Sequence, residues 1–311
     1  MKKIQILLST YNGERHLREQ LDSFVNLDNF SEVKVLIRDD GSSDTTASML
    51  REYSEKYGFE IILGENLGLN RSLYELLLLA DRECDFFAFA DQDDVWLPDK
   101  LSRACVALSK FPADEPTLYA ASSYLTDEAL NITGHTLIPK RTDFFNAMVQ
   151  NVCIGHTQVF NRAQLELLSS AFTDKMMIMD YWSYLSAAAF GRIIYDQKQT
   201  TLYRQHGNNV IGYSNSFFGT LKTRIRRVKT KKSIGNALQL KAFSEIFSER
   251  LDQKQKKEIS RFFKKQKNFF TRFSYFFTAR AYRQTFVETL IFKFMYLFGR
   301  YNIPKDKGDL K

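Results

Sequence analysis

Lys3-Ile4-Gln5-Ile6-Leu7-Leu8-Ser9-Thr10-Tyr11-Asn12-Gly13 opens the chain with a short apolar run that stops at a polar turn. Leucine and β-branched side chains in near-continuous succession suit a parallel strand buried on both faces. The same pattern recurs downstream. Val33 to Ile37 ends in Arg38-Asp39-Asp40-Gly41-Ser42-Ser43-Asp44, Glu60 to Leu63 precedes the turn Asn66-Leu67-Gly68, and Asp85 to Ala90 ends in Asp91-Gln92-Asp93-Asp94. Between these runs the apolar residues fall at helical spacing. Leu17, Leu21, Phe24 and Val25 mark one helix. Ser43 or Asp44 can cap a second that reaches about Tyr57, and Leu73, Leu76, Leu77 and Ala80 mark a third. Strands alternating with helices predict an α/β fold around an open parallel sheet.

In such sheets ligands bind beyond the carboxyl ends of the strands. The clusters Ser9-Thr10-Tyr11-Asn12, Asp39-Asp40-Gly41-Ser42 and Asp91-Gln92-Asp93-Asp94 all fall at such ends, which predicts one shared site. Farther along, Leu118–Tyr124 and Ile193–Tyr195 read as strands, and Asp99–Phe111 and Tyr181–Phe190 as helices. Beyond Phe217 the texture changes to long helices, with no obvious internal repeat.

The 311 residues are 44% hydrophobic and 26% charged, which excludes global disorder and leaves ample material for a core. Cys84, Cys105 and Cys153 make no complete disulfide framework and match no zinc spacing, so reduced thiols in a cytosolic chain are expected. Ile4 to Leu8 is too short for a secretory signal core, and no apolar stretch is long enough for a spanning helix. The net charge of +8 is unevenly divided: residues 222–311 carry +17 and residues 1–221 carry −9. The basic part calls for an anionic partner.

Asp91, Asp93 and Asp94 crowd carboxylates at one strand end. They repel one another unless a cation or hydrogen-bond donors neutralise them. Mg²⁺ takes oxygen ligands and shares them with substrate phosphates. Neither a Gly-x-Gly-x-x-Gly pattern nor a Walker sequence is present, which argues against dinucleotide enzymes and P-loop NTPases. The pattern suits a nucleotide whose diphosphate is held by a metal and side chains.

Taken in order, Ile6 to Gly13, Ile37 to Asp44, Asn66-Leu67-Gly68 and Ala90 to Asp94 resemble the nucleotide-binding half of family 2 glycosyltransferases. The resemblance covers roughly residues 3–215. It implies the GT-A fold: a Rossmann-like, mostly parallel open sheet with helices on both faces, here residues 1–216. A basic, aromatic-rich helical region for membrane or acceptor association would fill residues 217–311. Asp91-Gln92-Asp93-Asp94-Val95-Trp96, Asp180-Tyr181-Trp182 and Leu202-Tyr203-Arg204-Gln205-His206-Gly207-Asn208-Asn209 look most like the bacterial rhamnosyltransferase branch. Those enzymes build cell-wall, capsular or O-antigen polysaccharide from dTDP-L-rhamnose.

The resemblance also implies roles. Ser9, Thr10 and Tyr11 would contact the nucleobase, with Asp39, Asp40, Asn66 and Arg71 on the nucleotide. Asp40 would accept from the base imide, while Asp39 would do the same or orient the loop. Asp93 would ligate Mg²⁺ or Mn²⁺, with Asp91 on the ribose or on a metal-bound water. His206 would be a third ligand or bind the diphosphate. Asp94, Trp96, His156, Trp182 and Arg204 are expected around the donor sugar, phosphate or acceptor. Asp180 would be the base that deprotonates the acceptor hydroxyl in an inverting displacement. The chain departs from many branch members in having Met179 before that Asp, where they carry His or Glu.

From Phe262 to Tyr301, 15 of 40 residues are Phe or Tyr. Phe262, Phe269 and Phe276, and likewise Phe263, Phe270 and Phe277, recur every seventh residue, which predicts one helical stripe. Lys264, Lys265, Lys267, Arg272, Arg280 and Arg283 lie among them. A helix of this kind suits a membrane interface or a packed bundle. A lipid-linked saccharide acceptor at the inner face of the cell membrane accounts for both halves of the chain. The expected setting is therefore cytoplasmic and peripheral, with no nucleic-acid partner, and a homodimer is left open. A sugar-nucleotide pyrophosphorylase lacks support, because no Gly-rich basic loop follows the first strand. A nucleic-acid-binding module would explain the basic half but not the carboxylate clusters.

Overall fold

The computed structural model describes residues 2–205 and 232–303. These divide into two compact units. The first holds the described residues up to Pro139, Val152–Phe172 and those from Ile178 onward to Gln205. The second holds Lys140–Asn151, Thr173–Met177 and the described residues from 232 on.

In chain order the elements are β1 (Ile4–Thr10), α1 (Leu17–Val25), β2 (Val33–Asp39), α2 (Thr46–Tyr57), β3 (Glu60–Leu63), α3 (Leu69–Leu79), β4 (Phe86–Ala90) and β5 (Val95–Trp96). There follow α4 (Lys100–Leu108), β6 (Thr117–Thr126), β7 (Ile132–His135), α5 (Phe144–Ala147), β8 (Val159–Asn161), α6 (Arg162–Ser169), α7 (Met179–Phe190) and β9 (Arg192–Arg204). The strands form one sheet in the order β3-β2-β1-β4-β8-β6-β9-β5, with β7 paired to β6. The β3-β2-β1-β4 part is parallel, as the apolar runs predict. Beyond it the sheet is mixed: β8 is antiparallel to both β4 and β6, and β9 is parallel to β6.

Side chains alternate across a strand. Ile4, Ile6 and Leu8 point to one face, into a core with Leu17, Leu21 and Phe24 of α1, Leu50 and Tyr53 of α2, and Leu101 and Ala104 of α4. Burying each such leucine contributes about 1.5–3 kcal/mol. Ser9, on the opposite face, meets Ser72 of α3 at 2.7 Å. Helices therefore cover both faces, and the strand ends stay clear for loops. The α2 helix starts at Thr46, one turn inside the acidic loop, and Asp44 accepts the Thr46 N–H.

In the second unit the expected aromatic stripe is interrupted. One helix ends at Lys264 and the next runs Phe269–Thr278, capped by Asn268 in a reciprocal pair with Thr271. The capping asparagine stops the helical register, so Phe262 and Phe269 share no face. Phe262 is buried against Tyr275, Tyr296 and Tyr301, whereas Phe270 and Phe277 are exposed. Glu258, also buried, accepts from the Tyr275 hydroxyl and the Arg280 N–H.

Candidate active site

At the carboxyl edge of the parallel strands, hydrogen bonds join the polar clusters. Asp40 donates its N–H to the Thr10 carbonyl at 2.8 Å, and Thr10 Oγ1 donates to Asp39 at 3.0 Å. Asn12 donates its N–H to Ser42 Oγ and accepts the Ser43 N–H. The Tyr11 backbone exchanges two hydrogen bonds with the Gln92 side chain, at 2.9 and 3.1 Å, which ties the end of β1 to the turn after β4. The Tyr11 side chain stays half exposed above this edge.

The adjacent aspartates Asp39, at the end of β2, and Asp40, just past it, have different surroundings. Asp39 accepts the Ser42 N–H at 2.9 Å and the Ser42 hydroxyl at 2.6 Å, so it orders its own loop. Asp40 accepts the N–H groups of Leu67 and Gly68, each at 2.9 Å, and pairs with the buried Arg38 guanidinium. Arg38 also donates to Ser72 and to the Glu65 carbonyl. The network Ser9–Ser72–Arg38–Asp40 thus fastens the Asn66-Leu67-Gly68 turn to the strand ends. Gly41 is required here: its φ is +79°, and a Cβ would approach the Asn66 nitrogen to 3.0 Å. Asn66 and Arg71 are exposed beside this turn, and the Arg71 guanidinium lies 5.3 Å from the centre of the Phe172 ring.

After β4 the acidic turn divides. Asp91 is 45% exposed, and Asp94 is buried with His156. His156 Nδ1 lies 3.2 Å from Asp94 Oδ2 and 3.6 Å from Asp91 Oδ2. His156 Nε2 meets Ser123 Oγ at 2.9 Å. Asp94 Oδ1 accepts the Arg204 N–H at 3.2 Å, but Asp94 Oδ2 and His156 Nδ1 make no hydrogen bond. Burial, with Asp93 and Asp91 adding to it, pushes the Asp94 carboxyl well up from its ordinary range. Burial also pulls His156 down and lowers Lys100 to about 7. The Lys100 ammonium donates to the His156 carbonyl at 2.9 Å and to Thr201 Oγ1 at 3.1 Å.

One donor atom from each of Asp91, Asp94 and His156 lies within 4.8 Å of the others. Two of those atoms are buried and lack hydrogen bonds. Two carboxylates with one imidazole are a donor set that suits Mn²⁺ better than Mg²⁺, which prefers oxygen ligands alone, and such an ion would restore the charge that burial opposes on Asp94. The residues therefore fit a divalent cation. Asp93, expected as the direct ligand, is not in this converging set. His206, expected as the third ligand, lies outside the described residues.

Asp180 is the second residue of α7 and is 6% exposed. Its Oδ2 accepts the Gly155 N–H at 2.9 Å, and its backbone carbonyl accepts from the Gln158 side chain at 2.8 Å. Gly155 opens a short 3-10 turn, Gly155–Thr157, that also carries His156. The turn therefore hydrogen-bonds the Asp180 carboxylate with one residue and sets the ring of the next 3.2 Å from Asp94 in the acidic turn after β4.

Three expected contact residues are interior ones. Trp96 is 2% exposed and meets Phe24 edge-on at 4.9 Å, and Trp182 is fully buried. Both indoles fill the core, so neither is open to a sugar. Arg204 is 2% exposed; its guanidinium donates to the Asp93 carbonyl at 3.1 Å and pairs with Glu19 and the Glu128 carbonyl. It braces the acidic turn from behind.

Residues 5–166 match the family model for Glycosyl transferase family 2. The chain belongs to that family. Among curated relatives, it is 28% identical over 238 residues to the dTDP-rhamnosyl transferase RfbG of Shigella flexneri, covering 72% of this chain and 80% of that one. It is 24% identical over 237 residues to WfaP of Escherichia coli, a UDP-Glc:alpha-D-GlcNAc-diphosphoundecaprenol beta-1,3-glucosyltransferase, covering 76% and 88%. The fold is similar to that of S. aureus TarS 1-349 in complex with UDP-GlcNAc, with TM-score 0.53 and 16% identity over 79% of this chain and 73% of that one. Against a longer TarS chain, the match spans 44% of that chain's length. The mannosyltransferase PcManGT of Pyrobaculum calidifontis, in complex with GDP-Man and Mn²⁺, is similar at TM-score 0.50 and 18% identity, covering 83% and 67%.

Proposed function

We propose that this glycosyltransferase is a metal-dependent, inverting enzyme that moves L-rhamnose from dTDP-L-rhamnose to a saccharide acceptor carried on a lipid diphosphate. The observation that carries the reading is the Gly155–His156 link, which ties the Asp180 carboxylate to the Asp91–Asp94 turn. An inverting displacement needs both parts near one another: a base for the acceptor hydroxyl and a charge-stabilising centre for the departing nucleotide diphosphate.

Asp180 takes the acceptor proton as that oxygen bonds to the anomeric carbon and the sugar–phosphate bond breaks. Ser9, Thr10, Tyr11, Asp39, Asp40, Asn66 and Arg71 form the nucleotide edge, with Tyr11 offering an exposed ring to the base. Asp91, Asp94 and His156 would hold Mg²⁺ or Mn²⁺, and Asp93 is the further carboxylate of the same turn. When bound there, the cation would supply positive charge for the leaving diphosphate.

The rhamnosyl donor is favoured by the likeness to RfbG, and a lipid-diphosphate acceptor by the likeness to WfaP. The same WfaP likeness favours a UDP-hexose donor as the second reading. The basic stretch 217–311 suits the inner face of the cell membrane as the working surface. Among the described residues, no helix is long and apolar enough to cross a membrane. The test is nucleotide release from dTDP-rhamnose, UDP-glucose, UDP-galactose and UDP-GlcNAc, with and without Mn²⁺ or Mg²⁺. Selective, cation-dependent release from dTDP-rhamnose is expected; release from a UDP-hexose alone overturns the rhamnosyl assignment.

A further inference from the structure

Two helices of the second unit turn aromatic rings outward. On the Phe269–Thr278 helix, Phe269, Phe273 and Phe277 recur every fourth residue and are exposed, and Phe270 beside them is 82% exposed. On the Phe286–Leu297 helix, Phe286 and Phe294 lie on one stripe that continues to Phe298, just past its end; Phe286 is 81% exposed and Phe298 69%. Ring contacts connect Phe269 to Phe273, Phe273 to Phe277, Phe277 to Phe276 and Phe276 to Phe294, all between 5.1 and 6.2 Å. Through Phe276 the exposed Phe269, Phe273 and Phe277 connect to the exposed Phe294, so one patch crosses both helices, and Phe286 and Phe298 are exposed near the two ends of the second helix. The inward faces are separately filled, by Tyr275 and Tyr296 against Phe262 and by Phe292 against Tyr296 and Tyr301. Scattered exposed apolar residues are ordinary, whereas a contiguous aromatic patch marks a docking surface.

Charge selects the occupant. From Ile259 to Val287 the chain has no Asp or Glu, but it has Arg261, Lys264, Lys265, Lys267, Arg272, Arg280 and Arg283. Lys264, Lys267 and Arg280 are exposed. In the same unit, a cavity of about 530 Å³ is lined by Gln253, Lys254, Lys256, Lys257 and Arg280. Arg280 thus joins the end of the aromatic helix to a cationic basin. A second copy docking on this patch would bring the same positive charges against it. An anionic bilayer satisfies both features: rings enter the boundary between headgroups and acyl chains, and the cations meet lipid phosphates.

We propose that this aromatic face, with its flanking lysines and arginines, is a bilayer-docking surface selective for anionic lipid. It deepens the membrane reading above and rests on it for which membrane is met, but not for the docking itself. The full chain is floated with vesicles of phosphatidylcholine, alone or mixed with phosphatidylglycerol, and donor nucleotide release in solution is measured on the same samples. Flotation at least about tenfold stronger on the anionic vesicles is expected. The variant F270S/F277S/F286S/F298S loses at least about tenfold of that binding, with donor turnover in solution unchanged. The variant K264Q/K267Q/R280Q loses the preference for anionic lipid.

Undiminished flotation of the phenylalanine variant overturns the proposal. So does a concentration-dependent dimer that the same four substitutions break, if no vesicle binding accompanies it. Oligonucleotide binding lost with the lysine variant alone, without flotation of the parent, overturns it in favour of nucleic acid. Flotation as expected with no turnover of any donor supports the surface and sinks the transfer reading, so the two fail separately.

Discussion

The Gly155 N–H donates to the Asp180 carboxylate at 2.9 Å, and the next residue, His156, holds its Nδ1 3.2 Å from Asp94. Consecutive Cα atoms are about 3.8 Å apart. One short turn therefore spaces the acidic side chain of α7 from the acidic turn after β4. Lys100 fixes this turn from below through the His156 carbonyl. Asp180 cannot leave this turn without losing the Gly155 hydrogen bond, and the acidic turn meets it through the close approach of His156 to Asp94.

Asp180→Asn tests the base. The amide keeps an oxygen for the Gly155 N–H, so the fold and donor affinity should survive. Loss of proton acceptance should lower kcat by about 10²–10⁴, with donor KM little changed. Steady-state kinetics on a fixed acceptor checks this, and an unchanged kcat moves the base elsewhere.

Gly155→Ala tests the link itself. The added methyl would sit 3.3 Å from Asp180 Cβ and 3.5 Å from Oδ2. That is tight enough to shift the carboxylate by a few tenths of an ångström without unfolding the turn. A shift of that size should reduce kcat about tenfold while the urea midpoint changes little. Equal losses in rate and stability would mean the glycine serves the fold alone.

The parallel half of the sheet was legible because each of β1 to β4 is a run of apolar residues closed by a polar turn. The short strands β5, β7 and β8, of two to four residues, offer no period to read. His156 and Asp94 meet from positions 62 residues apart, and no local spacing announces such a pair. Motif position also says nothing of side-chain direction: Trp96, Trp182 and Arg204 sit where the motifs put them in the sequence, yet turn inward. The aromatic heptads misled because Asn268 restarts the helix, although an asparagine ahead of Phe269 is itself a visible cap signal.

Cation removal tests the Asp91–Asp94–His156 set. Chelation should abolish nucleotide release, and Mn²⁺ should restore it. His156→Gln should raise the Mn²⁺ concentration needed by about 10–100-fold, and a matching loss should appear in direct Mn²⁺ binding followed by the spin-resonance signal of the free ion. Asp93→Ala discriminates further. Undiminished Mn²⁺ binding in that variant leaves the ion to Asp91, Asp94 and His156, and lost binding makes Asp93 a ligand as well.

Asp196 sets an acid limit on stability. Burial pushes its carboxyl up, but the Lys198 N–H, the Arg103 guanidinium and the Tyr119 hydroxyl together outweigh this and hold it below the usual range. A depressed carboxylate contributes fully above its unfolded value of about 3.9, and the contribution is lost as pH falls through the folded value. Asp196→Asn should therefore lower stability at pH 7 and flatten its decline below about pH 4. Urea midpoints across pH 2–7, on the order of six points, check this; parallel curves for parent and variant would reject it.

Gly191 and Gly58 separate two reasons for a glycine. Gly191 ends α7 with φ −158°, outside the left-handed region, but a Cβ there would lie 1.8 Å from the Pro116 carbonyl oxygen. That oxygen already accepts the Arg192 N–H at 2.9 Å, where β9 begins beside β6. An alanine must therefore displace the first rung of the β6–β9 pairing, at about 3 kcal/mol, the upper end of overpacking costs. Gly58 ends α2 with φ +73° and has nothing within 4 Å of a built Cβ. Alanine there meets only left-handed strain, about 1–2 kcal/mol. Urea unfolding of both variants should rank Gly191→Ala as the more damaging. The reverse order would mean that the β6–β9 junction yields easily, and that the sheet carrying Arg204 to the acidic turn is less rigid than its hydrogen bonds indicate.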